Sequence, residues 1–245
     1  MKKVFALMLL LVTTLCLYSC SEDDDSKKIV LSQTSYSMYP DASAKIKGSG
    51  LSNIIWDSNN EFVAKAEDDM IYSNKVGSAT LYCNEHKISV TVKPKYSLYT
   101  EPDMTWGCSK NYIISKYGKP YYDGGNTIIY QTSNSKVPTI SYMFDDRGMY
   151  ACGVQVKWQA AYELLDFLDE RYVFYSVDTS AYTANFAHCY GKIDNPQIDY
   201  AGQFAYQSSL GSILLVYSGN TTTRGVIDDS IFESMSNAID QCMNE

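Results

Sequence analysis

Only two histidines, His86 and His188, occur in 245 residues. Nucleophilic catalysis most often takes its base from histidine, so few dyads or triads are open to this chain. The G-x-S-x-G elbow, the H-E-x-x-H helix and the glycine-rich P-loop are missing, which removes the commonest hydrolase and nucleotide-binding signatures. There is no C-x-x-C for zinc or thiol exchange and no D-x-D-x-D-G loop for calcium. No motif implies a cofactor. Lysine and arginine never run beyond a pair, and acids outnumber bases 28 to 20 for a net charge of −8. A phosphate polyanion would be repelled, so nucleic acid is not an expected partner.

What is present begins with an address. Lys2 and Lys3 precede Val4 to Leu17, a run that is apolar apart from Thr13 and Thr14 and too short to span a bilayer. Such a pattern is a secretory signal. Its last residues, Leu17, Tyr18, Ser19 and Cys20, resemble a lipobox, which implies that the thiol of Cys20 is acylated and that Cys20 becomes the mature N-terminus. Residues 1–19 are then signal peptide and the membrane is met through lipid. Loss of Lys2 and Lys3 leaves 18 bases against 28 acids, a charge of −10. Residues 20–28 form an acidic tether in which Glu22, Asp23, Asp24 and Asp25 repel one another and keep the chain extended. The same acidic patch is similar to the export signal of Bacteroidota lipoproteins, which implies the outer face of the outer membrane.

The remaining length, about 225 residues, suggests two domains. Tyrosine is unusually common, 22 against 8 Phe and 3 Trp. Tyrosine suits half-buried strands, where the ring packs and the hydroxyl reaches water; it also suits stacking platforms for carbohydrate. Cys83, Cys108, Cys152, Cys189 and Cys242 are an odd set without tight spacing. Buried free thiols are expected, with one C-terminal bridge still open.

Residues 29–94 alternate as short strands with polar turns. Ile29 to Leu31, Ser43 to Lys47, Ile54 to Trp56, Val63 to Ala66, Met70 to Ser73, Ala79 to Cys83 and Lys87 to Val92 predict an all-β sandwich. Turns are expected at Gly48-Ser49-Gly50, Asn59-Asn60, Asp68-Asp69 and Asn84-Glu85. Trp56, Ser58, Val63, Ala64, Ile71, Val76, Gly77, Ala79, Val90 and Val92 resemble the bacterial immunoglobulin-like group 2 domain. That resemblance implies a surface spacer or adhesive module, with Trp56 filling the core and Gly77 in a place too tight for a Cβ.

Residues 95–245 change character and predict an α+β domain. A short helix within Trp106 to Tyr117 ends at Gly118 and Pro120. Strands follow at Thr127 to Thr132, Thr139 to Phe144 and Tyr150 to Lys157, with Asp145 to Gly148 as a hairpin turn. A second helix is expected from Gln159 to Glu170, then strands at Val173 to Val177, Thr183 to Cys189, Tyr200 to Gln207 and Ser212 to Tyr217. A last helix is expected from Ile227 to Met243, started by Asp228, Asp229 and Ser230. The order helix then strands occurs twice, which raises an internal duplication as one reading. Trp106, Gly107, Ser109, Ile113, Tyr117-Gly118-Lys119-Pro120, Tyr142, Phe144 and Gly148 are similar to the α+β repeat of outer-membrane assembly lipoproteins and a β-lactamase-inhibitor protein. The resemblance implies protein binding without catalysis.

Chemistry has few other candidates. His188 adjoins Cys189, but neighbours on a strand face opposite ways. Asp123, Asp145, Asp146, Asp194 and Asp199 lie near strand ends, the first four in turn sequences where Asp accepts backbone hydrogen bonds. The chain therefore reads as a lipid-anchored surface protein with a binding role towards glycan or protein, and not as an enzyme. The alternatives are a hydrolase acting on glycan or peptide and a purely structural envelope component.

Overall fold

A computed structural model of the protein describes residues 28–219 and 234–239. Cys20, Glu22, Asp23, Asp24 and Asp25 lie outside them, as do Asp228, Asp229, Ser230 and Cys242. Among the described residues no helix is long and apolar enough to cross a membrane. Strand dominates, as expected, and the described helices occur only after residue 109.

The first nine strands are Val30–Leu31 (β1), Ser35–Met38 (β2), Ser43–Lys45 (β3), Gly48–Ser49 (β4), Asp57–Ser58 (β5), Ala64–Glu67 (β6), Met70–Ser73 (β7), Gly77–Cys83 (β8) and His86–Val92 (β9). They form a sheet ordered β2-β9-β8-β5, a second ordered β3-β7-β6, and the pair β1-β4. Alternation drives the packing: in β9 Ile88, Val90 and Val92 point inward while Lys87, Ser89 and Thr91 face solvent. The inward set meets Trp56, Val63, Ile71 and Leu81 in one core. Gly77 opens β8 at φ 148°, and a Cβ there would lie 2.8 Å from Val63 Cγ2.

Two expectations in this part need correction. Ile54 to Trp56 is not a strand; the ladder starts at Asp57, and Trp56 instead buries its ring while its indole N–H donates to the Asp68 carbonyl at 2.9 Å. Gly48 and Ser49 are not a turn but pair with β1, so close that a Cβ on Gly48 would lie 2.3 Å from the Val30 carbonyl oxygen. Strand β2 is an addition to the expected set. Its Tyr36 and Met38 alternate inward, but it pairs in parallel with β9 at the far end of the module. Parallel strands need a long crossover rather than a hairpin, so no nearby turn announces the pairing.

The second half contains α1 (Lys110–Tyr117), β10 (Tyr122–Asp123), β11 (Thr127–Gln131), β12 (Thr139–Asp145), β13 (Gly148–Lys157), a 3-10 turn at Trp158–Ala160, α2 (Ala161–Asp169), β14 (Val173–Asp178), β15 (Thr183–Lys192), β16 (Asn195–Gln207) and β17 (Ser212–Gly219). Helix α1 starts where Ser109 accepts the Tyr112 N–H and stops at Gly118, whose φ is 84°. All eight strands make one antiparallel sheet ordered β10-β11-β12-β13-β17-β16-β15-β14. Each meander of four thus runs inward from an edge strand to the central β13·β17 pair.

Both faces of the sheet centre are covered, which is why β17 reads Ile213-Leu214-Leu215-Val216-Tyr217 without a polar break. One face packs Tyr142, Val154, Leu215 and Tyr217 against Ile113 of α1 and Leu164, Phe167 and Leu168 of α2. The other sets Ile129, Met143, Leu214 and Val216 against Met235 and Ile239 of a helix over 234–239. That short stretch is the described portion of the expected C-terminal helix.

The two halves touch. The β15–β16 hairpin reaches past the sheet, so that the Gly191 carbonyl accepts the Glu61 N–H at 2.8 Å and the Glu61 carboxylate accepts the Ile193 N–H at 3.0 Å. Lys192 pairs with both Glu61 and Asp57. Across the junction Glu170, a buried acid, accepts the N–H groups of Lys95 at 2.8 Å and Tyr96 at 3.1 Å, and pairs with Arg171.

Candidate functional site

After β9 the chain crosses the helix-bearing face of the large sheet as an irregular strap. Its residues meet a group of tyrosines projecting from β16, β17 and the end of α2. Tyr99 and Tyr217 share a hydrogen bond of 2.5 Å between hydroxyls. The Tyr172 hydroxyl donates to Glu101 and lies 3.5 Å from that of Tyr200. The Tyr200 ring stacks on His188 at 5.0 Å with 4° between planes, and Trp106 approaches it at 6.3 Å. Asp199 completes the row with its carboxylate 2.9 Å from His188 Nδ1.

Burial sets the electrostatics here. It pushes the Glu101 carboxyl above its ordinary value, with Arg171 and His188 pulling the other way. The same desolvation raises Tyr99, Tyr200 and Tyr217 far above the ordinary phenol value and keeps them neutral donors. Cys152, in the same core, is held as the thiol by burial. A buried carboxyl hydrogen-bonded among neutral phenols is a satisfied polar core that pins the strap. Glu101 carries no local signal, because Glu101-Pro102-Asp103 lacks any periodic neighbour; it becomes visible only when the strap lies on the sheet.

The acids singled out from sequence do not converge. Asp123 on β10 bonds Lys110 at 2.7 Å, Asp145 and Asp146 both pair with Arg147 at the β12–β13 turn, and Asp194 sits at the β15–β16 tip. From β10 to β16 is five strand spacings, about 24 Å at roughly 4.8 Å each, and from β12 it is about 14 Å. Paired glycosidase carboxylates stand about 5 to 9.5 Å apart. Asp199 is not at a strand end: it lies within β16, next to Tyr200, whose cross-strand partner is His188. Opposite the His188–Cys189 step, β16 carries a bulge that leaves Asp199 without a cross-strand partner, and His86 opens β9 at a hairpin, opposite Cys83. Cys83, Cys108, Cys152 and Cys189 are free thiols. Among the described residues no group of three or more His, Cys, Asp or Glu is placed to hold a metal.

At the opposite end of the same face three large rings meet in the open. Trp158 follows β13, Tyr182 ends the β14–β15 turn, and Tyr206 lies near the end of β16. Their centroids are 5.7 Å (Trp158 to Tyr182), 4.9 Å (Trp158 to Tyr206) and 6.4 Å (Tyr182 to Tyr206) apart, with interplanar angles of 89°, 65° and 68°. Trp158 is 43% exposed, Tyr182 56% and Tyr206 36%. Tyr162, one helical turn beyond Trp158, is 84% exposed. Tyr182 adopts φ 53°, a left-handed conformation rare for a bulky side chain. Asp178 fixes that turn by accepting the N–H groups of Ser180 and Ala181 and the Ser180 hydroxyl, contacts that lower its own pKa. Composition announced abundant tyrosine but not which rings would meet; three segments separated in sequence supply them. No protein-family model, curated protein or solved structure matches the chain.

Proposed function

We propose that this chain is a lipid-anchored protein of the cell exterior, held in the outer membrane through Cys20, whose residues 95–245 bind a glycan or protein ligand without turning it over. Residues 29–94 then serve as an immunoglobulin-like spacer. The observation that carries the reading is the exposed ring cluster of Trp158, Tyr182 and Tyr206. Aromatic side chains of this size are normally drawn into cores, and a group left at the surface on three converging segments is characteristic of recognition surfaces. The mirrored strand order about β13 and β17 supports the further reading of residues 95–245 as a duplicated α+β unit.

The test uses the full chain in intact cells. Surface crosslinking should capture ligands from the wild type, and replacing Trp158 and Tyr182 together with alanine should abolish capture while membrane attachment persists. Equal capture by both forms would overturn the assignment of the surface. Release of cleaved glycan or peptide that disappears in Glu101→Gln would instead make the protein a hydrolase.

A further inference from the structure

The ring cluster lies at one end of the large sheet. Thr183 pairs with Ala205, and Ser212 pairs with both Gln207 and Lys157, so the 179–182 turn, the 208–211 turn and Trp158 share that end. Thr179, Ser180, Ser208 and Ser209 are exposed there. The surroundings are therefore hydroxyl-rich. Charge in the two turns is scarce, since Asp178 is occupied within its own turn and neither turn contains a basic residue, and Lys136, whose carbonyl accepts the Lys157 N–H, is paired with Glu163. Lys157 precedes Trp158, but Val156 packs on the helix-bearing face, so alternation turns Lys157 to the other side.

These features discriminate among ligands. An anionic polymer or lipid headgroup would find no cation in the turns that carry the rings. A folded protein partner needs about 800 Å² of contact on each side and a flat or grooved patch, whereas these rings stand nearly edge-on to one another. A pyranose matches better. Its C–H face is apolar and slightly positive, complementary to the negative face of an aromatic ring, and its hydroxyl edge meets the polar turns. The strained backbone at Tyr182 fits the same picture, since the ring is presented outward at a conformational cost.

We infer that Trp158, Tyr182 and Tyr206 form a stacking site for an uncharged glycan. This inference rests on the binding reading above and names the ligand class at that same surface. Tyr206 is tied to Tyr182 through its N–H, which donates to the Tyr182 carbonyl at 3.3 Å, so a backbone hydrogen bond joins the two residues that carry the tyrosine rings. Trp158 provides the largest face, and Tyr162 stands ready on the adjoining helical turn.

The experiment is affinity electrophoresis of the full chain, in detergent, through gels containing mannan, amylopectin, xyloglucan or galactan, beside gels containing polygalacturonate. At least one neutral polysaccharide should retard the protein. Trp158→Ala and Tyr182→Ala should each weaken retardation by roughly tenfold or more, the scale on which aromatic anchors act. Tyr121→Ala, an exposed ring elsewhere, should leave it unchanged. Thermal unfolding of each variant checks folding, and Tyr182→Phe, which keeps the ring, should retain most of the affinity. Retardation by no neutral polysaccharide, by polygalacturonate alone, or equally in all variants overturns the inference. In the first two cases the broader binding reading stands if crosslinking in cells still captures a ligand that the Trp158/Tyr182 double variant loses, and falls if it does not.

Discussion

Gly148 and Gly107 meet backbone to backbone: a Cβ on Gly148 would lie 2.2 Å from the Gly107 carbonyl oxygen. The contact docks the segment before α1 onto the β12–β13 turn, where the Gly107 N–H donates to the Met149 carbonyl and the Met149 N–H to the Cys108 carbonyl, both at 2.8 Å.

Gly148 also has φ 102°, so Gly148→Ala combines a clash with an unfavourable backbone. A loss of about 3 kcal/mol or more is expected in urea unfolding. Gly118 has φ 84°, but a Cβ added to it would meet nothing within 4 Å. Gly118→Ala should therefore cost less, about 1 to 3 kcal/mol, the backbone penalty of a region that only glycine normally enters (φ 84°, ψ −167°) without any clash. Equal losses would show that the close approach contributes little.

Glu101 gives a pH dependence of known sign. Its folded-state pKa is raised above the ordinary 4.5 by burial, with Arg171 and His188 opposing. The neutral acid is thus favoured by the fold. Its contribution is fully present below the unfolded pKa and is lost as pH rises through the raised value. Glu101→Gln, which keeps a neutral hydrogen-bonding group beside Tyr172, should gain stability relative to wild type as pH rises through that window and not below it. Melting temperatures of the two forms across about pH 3 to 8 would reveal the crossover; parallel curves would rule it out.

Glu170 ties the strap to α2 and sits at the junction of the two halves. Glu170→Ala strands the N–H groups of Lys95 and Tyr96 and leaves Arg171 without its carboxylate. A loss of roughly 3 to 5 kcal/mol is expected for breaking a buried pair on one side. Limited proteolysis should then cut within 93–97 before the cores open. Protection equal to wild type would place the restraint elsewhere, with the Val76 N–H on the Glu170 carbonyl as the next contact to test.

The address is testable separately. Cys20→Ala should move the protein from the membrane to the soluble fraction. Neutralising Glu22, Asp23, Asp24 and Asp25 should leave it anchored but protected from protease added to whole cells. Continued cleavage in that variant would reject the export role and leave the lipid anchor intact.

Local signals made much of the architecture readable. Gly118 and Pro120 ended α1, Asp145 to Gly148 closed a hairpin, and Met70 to Ser73 formed the strand its alternation announced. Each depends on neighbours within a few residues. Strand β2 and the β1·β4 pair escaped because their partners are not adjacent strands in the chain and their own residues are few.

By itself, the sequence determined that this is a β-rich chain with few groups for catalysis, since composition, periodicity and turn chemistry are local properties. Only the tertiary structure decided that Glu101 would lie under Tyr172, that Asp199 would face His188 across a shared strand pair, and that Trp158, Tyr182 and Tyr206 would meet at one end of the sheet. Those relationships come from the pairing of β13 with β17 and of β16 with both its neighbours, and pairing between distant strands is fixed by how two covered faces pack, which no short window of residues contains.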